Sequence, residues 1–344
     1  MNKDKLISIH LNSNKPKEFS NFIESIIINS SEISQIEVLV SIDQKDMKMI
    51  DTIEKINKEF PNLIRYIETD LIKTFADAWK PLNKLLLETS KTVRYISCVS
   101  DNVRFETKNW DQIILNYDNY FEDNIFRIRC SKFKNETYKD IWECGYKPDS
   151  YSFYTKRWLD IVKIWNPCIG PDSFHESISF YMRNFYGEEN NRDIIDKDIK
   201  FSGQEVSEKM GFKARIERSR IYYKAFFILM SYKMQSLANN KAYKIVCKIQ
   251  AEKIQYKKIK YLKTIYINFT RRFNFFYHRG SPDHFINSKA KNILFFIWSN
   301  MKFLDSILIK FINYLCEKNL IDKIIRDENK MKKIMKIIDY EKHT

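Results

Sequence analysis

Two carboxylates lie directly after apolar strand-like runs, where side chains often bind ligands. Asp43 closes the run 37–42, and Asp101 follows the run 95–99. In open α/β sheets, ligands bind beyond the carboxyl ends of the strands. A carboxylate at the first position can accept a hydrogen bond from a nucleobase N–H. One at the second can ligate Mg²⁺ or Mn²⁺ bridging a diphosphate, because hard cations prefer oxygen ligands. The alternative is that both are turn-formers or helix caps, since Asp is frequent at strand ends.

The elements that must position these carboxylates alternate along the first hundred residues. The apolar patterns predict strands at 6–11, 37–43, 63–67 and 94–99, and helices at 16–29, 47–60 and 74–89. Strands that alternate with helices of this length predict an α/β fold with a mainly parallel sheet and flanking helices.

Beyond residue 110 the alternation of predicted strands and helices is less regular. We predict a helix at 110–121, a strand near 125–130, a strand-to-helix passage at 150–164 and a helix at 174–185. After residue 215 the β pattern nearly vanishes and the chain becomes helix-prone. We therefore expect an α/β domain at 1–215 and a basic, all-α region at 216–344.

The charge distribution supports this division. Residues 216–344 contain 27 Lys and Arg against 10 Asp and Glu, a net charge of +17. The whole chain carries +15, so residues 1–215 carry −2. All of the excess positive charge therefore lies in the C-terminal region.

Several classes of protein are disfavoured by what the sequence lacks. The six cysteines are widely spaced without a CxxC pair, which favours reduced thiols in the cytoplasm. The N-terminus has no long apolar run of the kind found in secretory signals. Walker, Gly-x-Gly-x-x-Gly and Gly-x-Ser-x-Gly segments are also missing from the sequence.

Three segments, 7–9, 37–43 and 95–102, resemble the nucleotide-binding half of family-two glycosyltransferases with the GT-A fold. The resemblance covers about the first 110 residues. It implies that Asp43 contacts the base of a nucleoside-diphosphate sugar. An Asp-x-Asp type segment would bind ribose, diphosphate and metal, and it maps onto Asp101 and Asn102. The stretch 100–111 is also similar to a variant of this motif that is followed by a Phe-x-Thr and Trp-Asp turn.

The chain departs from this family pattern at two positions. Val99 occupies the first position of Asp-x-Asp, and Asn102 follows Asp101 in place of another acid. We therefore predict one divalent ion, Mg²⁺ or Mn²⁺, held mainly by Asp101 and the donor phosphates. The resemblance also places Asp77 and Lys80 where they would touch the donor phosphate or ribose.

An inverting transfer needs a carboxylate that deprotonates the acceptor hydroxyl as it attacks the anomeric carbon. The resemblance points to a Glu-Asp-type site at the start of a helix, and the nearest match is 170–176. Asp172 is the first candidate for the base, and Glu176 and His175 are the second. An ordinary helix N-cap is the alternative explanation of Asp172.

The basic C-terminal region predicts a partner with negative charge. Residues 221–270 contain 10 Lys and Arg, one acid (Glu252) and many interleaved aromatic residues. Such a surface suits an anionic membrane, where each basic residue contributes about 1 kcal/mol, and we favour it over nucleic acid. A helical accessory domain or dimer surface with solvated lysines is the alternative.

The resemblance implies a glycosyltransferase, and the cysteine and charge patterns predict that it is cytoplasmic and attached peripherally to the inner face of the cell membrane. We expect it to move a sugar from a nucleoside diphosphate to a hydroxyl acceptor on a surface glycan or glycolipid, with inversion. The alternative is a non-catalytic binding protein on a degenerate transferase scaffold, whose basic helices hold nucleic acid or membrane.

Overall fold

The computed structural model describes residues 4–70, 79–130, 151–166, 171–202, 232–259, 280–281 and 284–285. The chain divides into two compact units, residues 1–275 and residues 276–344. The described part of the first unit contains the elements that position the predicted site.

The strands of the first unit are β1 (Ile7–Asn12), β2 (Ile36–Asp43), β3 (Ile64–Thr69), β4 (Tyr95–Cys98), β5 (Arg104–Phe105), β6 (Arg127–Arg129), β7 (Phe153–Thr155), β8 (Asp193–Ile195) and β9 (Phe201–Ser202). The helices are α1 (Pro16–Asn29), α2 (Met47–Glu59), α3 (Trp79–Leu87), α4 (Trp110–Leu115), α5 (Lys156–Val162), α6 (Pro171–Tyr186) and α7 (Tyr232–Ile249). Short 3₁₀ turns lie at Ile33–Gln35 and Glu188–Asn190.

The main sheet has the strand order β3-β2-β1-β4-β7-β6-β8. Strand β7 is antiparallel to both of its neighbours, and the other paired strands run parallel. The prediction of a mainly parallel sheet with flanking helices is therefore confirmed. All the parallel strands end at the same side of the sheet, which we call the carboxyl edge.

The central strands are buried on both faces, as expected for parallel strands covered by helices, and this burial includes the polar side chains of Ser8 and His10 on β1. The first five residues of β1 and the first seven of β2 are buried. Helix α1 covers one face of the sheet with side chains of at most 1% exposure, namely Phe19, Phe22, Ile23 and Ile26. This packing makes α1 a firm support for the loop that precedes it.

The second half of the domain differs from the prediction in detail. Helix α4 ends at Leu115, although the apolar pattern predicted a helix to residue 121. The residues after it are turn-formers, and Asn119 has a left-handed backbone with φ of 63°. Strands β5, β8 and β9 have only two or three residues each, too few for a periodic pattern to reveal.

The predicted boundary at residue 215 falls in a part of the chain outside the described residues. Helix α7 nevertheless packs on α6, where the Tyr181 hydroxyl donates to Gln235 Oε1 over 2.7 Å. In the second unit, the described residues form an antiparallel pair, β10 (Gly280–Ser281) and β11 (His284–Phe285). The remainder of the predicted all-α region lies outside the described residues. Within the described ranges, no helix combines the length and apolar character needed to cross a bilayer.

Candidate functional site

The loop between β1 and α1 connects the two predicted carboxylates at the carboxyl edge. Ser13 Oγ donates to Asp101 Oδ2 over 2.8 Å, and Asn14 Nδ2 lies 3.5 Å from Asp43 Oδ2. The loop itself is held against β2, because Ser13 N donates to the Ser41 carbonyl over 3.0 Å. The structure therefore brings Asp43, at the end of β2, and Asp101, three residues beyond β4, to the two sides of one short loop that follows the strand between them, β1.

The Arg104 guanidinium contacts the backbone around Asp101. Arg104 Nη1 donates to the carbonyl oxygens of Asp101, over 2.8 Å, and Val103, over 2.7 Å. Its Nη2 pairs with Glu18 Oε2 on α1 at 3.0 Å. The half-buried Asn102 accepts a hydrogen bond from Ser100 Oγ.

The described residues place no carboxylate cluster around Asp101. Val99 is an apolar side chain with 8% exposure. Among the described residues, no group of three or more His, Cys, Asp or Glu side chains is placed to hold a metal ion. Any ion bound at Asp101 would therefore take most of its ligands from elsewhere.

The predicted Trp-Asp turn at 110–111 has a structural role. The buried Asp111 carboxylate accepts hydrogen bonds from Ser31 N (2.8 Å), Ser31 Oγ (3.1 Å) and Glu32 N (2.9 Å). Trp110 is fully buried and packs on Phe105, with the ring centroids 4.4 Å apart. These contacts fix the chain between α1 and β2 to α4 and leave Asp111 facing the protein interior.

The described part of the chain contains Lys80 and the backbone of Asp172, but not Asp77. Asp77 lies outside the described residues. Lys80 is an exposed residue in the first turn of α3. Asp172 is the second residue of α6, and its side chain is outside the described part. Their predicted roles stay predictions.

Glu176 lies in a buried ion cluster, in which it pairs with two arginines of β6. Its Oε2 is 3.0 Å from Arg127 Nη2, and its Oε1 is 3.0 Å from Arg129 Nη2. Arg127 also makes a two-pronged pair with Asp193 of β8, with 2.9 Å between Nη2 and Oδ2. Burial opposes the charge on Arg127, but Asp193 and then Glu176 hold its pKa well above the usual value. This geometry favours a structural role for Glu176 over its predicted role as a catalytic base.

The surroundings of His175 also favour a structural role over a role as a catalytic base. It is fully buried, and its Nδ1 accepts a hydrogen bond from Trp158 Nε1 over 3.0 Å. Burial, assisted by the charge of Arg127, lowers the pKa of His175 to about 3. A histidine of this kind is neutral but too weakly basic to accept a proton readily at neutral pH.

Sequence reasoning missed Ser13, Asn14 and Arg104. Ser13 and Asn14 directly follow β1, so the rule that polar residues just after a strand are site candidates also applies to them. The pairing of Arg104 with Glu18 joins residues 86 positions apart, and no local pattern indicates it.

No protein-family model matches the chain, and no curated protein sequence is close enough to count as a match. Among solved structures, the fold is similar to the mannosyltransferase PcManGT from Pyrobaculum calidifontis in complex with GDP-Man and Mn²⁺. That likeness has 12% identity and a TM-score of 0.51, and covers 72% of this chain and 74% of the other.

Structures of S. aureus TarS 1-349 also match. The complex with UDP has 10% identity and a TM-score of 0.42, covering 74% of this chain and 95% of the other. The complex with UDP-GlcNAc has 13% identity and a TM-score of 0.41, covering 79% and 80%. The likeness to the mannosyltransferase is the one that bears on the fold, and with the sheet order it shows a GT-A-like fold.

Proposed function

We propose that the protein is a glycosyltransferase that transfers a sugar from a nucleoside-diphosphate sugar to a hydroxyl acceptor on a surface glycan or glycolipid, with inversion. One observation carries this proposal. Asp43 and Asp101 lie on either side of the β1–α1 loop at the carboxyl edge of a GT-A-like sheet. Ligands of open α/β sheets bind at this edge.

In this proposal the two carboxylates contact different parts of the donor. Asp43 at the end of β2 accepts a hydrogen bond from a base N–H, and Asn14 beside it orients that carboxylate. Asp101 and Asn102 face the ribose and diphosphate. Asp77 and Lys80 are the residues that the family resemblance assigns to the donor phosphate or ribose, and a lysine there would offset phosphate charge.

A divalent ion at this site would be held by one protein carboxylate together with the bound sugar nucleotide. Mg²⁺ is commonly bound through one or two carboxylates, substrate phosphates and water, with no all-protein cage. Asp101 supplies the carboxylate, so the donor phosphates would supply much of the remaining coordination. When bound, Mg²⁺ or Mn²⁺ would neutralise charge that develops on the leaving diphosphate.

The proposed chemistry assigns the proton to Asp172 at the start of α6. The acceptor oxygen attacks the anomeric carbon, its proton passes to the Asp172 carboxylate, and the bond to the diphosphate breaks on the opposite face. Glu176, one turn further along α6, is enclosed by Arg127 and Arg129, and we assign it no proton transfer. Asp172→Asn is expected to abolish transfer and leave donor binding unchanged.

Thermal-shift measurements with UDP-, GDP- and CMP-sugars, each with and without Mn²⁺, test the donor site directly. A ligand present at a hundred times its Kd should stabilise the protein by about 2.7 kcal/mol. Asp101→Asn should weaken binding at least about tenfold, which is about 1.4 kcal/mol. The control is Asp160→Asn, an exposed carboxylate that pairs with Lys156. If none of these nucleotide sugars raises the unfolding temperature, the proposed function is wrong.

A non-catalytic binding protein on the same scaffold is the second candidate, and the apolar Val99 favours it. Assays for donor hydrolysis and for transfer separate the two functions. Binding of a nucleotide sugar without either reaction, across the donor panel, would favour the second candidate.

We also propose that the basic region attaches the protein to an anionic membrane at the inner face of the cell membrane. Among the described residues, exposed lysines lie along the end of α7 and the chain after it, namely Lys244, Lys248, Lys253, Lys257 and Lys258. Anionic lipid attracts such a cluster, and salt screens the attraction. Sedimentation with vesicles containing phosphatidylserine should show binding at low salt that weakens as salt rises. Equal recovery with neutral vesicles would contradict the proposal.

A further inference from the structure

The loop that carries Asp101 is supported from helix α1 at three points. Glu18 pairs with Arg104, Ser25 Oγ accepts from Phe105 N over 3.2 Å, and Asn29 Nδ2 donates to the Phe105 carbonyl over 2.7 Å. Residues spaced by seven and then four positions lie along one side of a helix. Helix α1 therefore contacts residues 104–105 from three positions spread along the helix.

Arg104 transmits this support to Asp101. Its guanidinium contacts Glu18 with one nitrogen and the carbonyls of Asp101 and Val103 with another. A planar guanidinium can make these bonds together, because it presents five donors in a fixed fork. The side chain of Asp101 is held separately by Ser13, the first residue of the β1–α1 loop.

We infer that Arg104 is a positioning residue for Asp101, and that it acts through its ion pair with Glu18. This inference rests on the proposed function, in which Asp101 contacts the donor diphosphate. With only one carboxylate at this position of the motif, the site depends on where that carboxylate lies. Ser13, in the loop that precedes α1, fixes the carboxylate, and Arg104, paired with Glu18 of α1, fixes the backbone beneath it.

The first measurement is hydrogen exchange on the ligand-free protein. Arg104→Ala should increase exchange of the amides at 100–105. The matched control is Arg94→Ala, which removes an exposed ion pair with Asp118 next to the amino end of β4, at the opposite side of the sheet. Unchanged exchange at 100–105 in the Arg104 variant would overturn the inference, whatever the protein binds.

The second measurement is the affinity for the stabilising nucleotide and the Mn²⁺ concentration at half-maximal stabilisation. Residues that orient a ligating side chain typically change metal affinity by about 10–100-fold when they are removed. For Arg104→Ala we expect nucleotide affinity to fall, and the required Mn²⁺ concentration to rise, by at least about tenfold, the lower end of that range. Neither value should change for Arg94→Ala. Glu18→Gln should change both values in the same direction by less.

Two further variants separate positioning from general stabilisation. Arg104→Lys should restore part of the affinity, because an ammonium can still donate to a carbonyl. Adding Arg104→Ala to Asp101→Asn should cause no further loss, because residues that act through one another are not additive. Additive losses would overturn the positioning role.

These outcomes separate the inference from the proposed function. If the unmodified protein binds no nucleotide, the proposed function fails, and the donor-positioning role fails with it, although loop exchange still tests the Arg104 contact. If the unmodified protein binds nucleotide and Arg104→Ala binds equally well, only the inference fails. Should Arg104→Ala fail to fold, Arg104→Lys and Glu18→Gln provide the same comparison.

Discussion

His10 and His175 are buried histidines that each accept a hydrogen bond from a tryptophan. Trp165 Nε1 donates to His10 Nδ1, and Trp158 Nε1 donates to His175 Nδ1, both over 3.0 Å. Burial lowers the pKa of each imidazole to about 3. Both rings are therefore neutral at physiological pH and contribute to packing between β1, α6 and the chain around Trp165.

This burial predicts a loss of stability in acid. An unfolded histidine has a pKa of about 6.5, so between about pH 6.5 and 3 the unfolded chain binds protons that the folded chain does not. The free energy of unfolding should fall with decreasing pH across that window, by up to about 1.4 kcal/mol per pH unit for each histidine. Urea denaturation at several pH values measures the slope. His175→Gln should make it shallower, and an unchanged slope would contradict the assignment.

At the scale of elements, a buried ion cluster joins α6 to the far strands of the sheet. Arg127 and Arg129 of β6, Glu176 of α6 and Asp193 of β8 form a group with two positive and two negative charges. Burial opposes the ionisation of Asp193, but Arg127 holds its pKa below the usual value. The cluster is balanced, so removing one member leaves an unpaired buried charge.

We therefore expect Glu176→Gln to destabilise the protein by about 3–5 kcal/mol, the usual effect of breaking a buried pair. Denaturant unfolding measures it. The control is Glu188→Gln. Glu188 lies just after α6, and its exposed carboxylate is 3.6 Å from Arg183 Nε. If Glu176→Gln were as stable as the unmodified protein and had lost transfer activity, the catalytic prediction for Glu176 would be correct.

Asp111 gives a second test of structure against function. Replacing it with Ala removes an acceptor of three hydrogen bonds, two of them from backbone amides, and leaves those donors unsatisfied. A loss of about 1–3 kcal/mol in the free energy of unfolding is expected, with nucleotide affinity unchanged. Asp51→Asn, an exposed change on α2, is the control. Weakened nucleotide binding in a fully folded Asp111→Ala protein would place this residue at the donor site.

The sequence predicted the regular elements well and the contacts between them poorly. Helix α1 was predicted at its observed bounds, because Pro16 marks its start and its apolar residues follow helical spacing. Strand β8 has three residues and follows a polar turn, so no periodicity reveals it. The same limit applies to the site. Asp101 is visible from its strand, whereas Arg104 depends on a partner 86 residues away.

At the scale of the whole molecule, helix α7 belongs with the sheet in one compact unit that extends to residue 275. Gln235 and Gln250 of this region bond to Tyr181 and Asn190. A chain of residues 1–275 should therefore be soluble and bind nucleotide, whereas a chain of residues 1–215 lacks α7 and exposes the apolar side of α6. Size-exclusion chromatography and thermal unfolding of both chains test this. A stable, monomeric 1–215 chain would support the boundary predicted from charge.

The antiparallel strand β7 has a consequence for the protein as it is synthesised. Strand β7 lies between β4 and β6, so β4 pairs on that side only with residues 153–155. On the ribosome, β1 to β4 emerge more than fifty residues before that partner does. During this interval the outer backbone groups of β4 are unpaired, and such an edge readily pairs with other chains. Nascent chains that stall or are cleaved between residues 105 and 150 should therefore depend most on chaperones, and should aggregate when these are depleted.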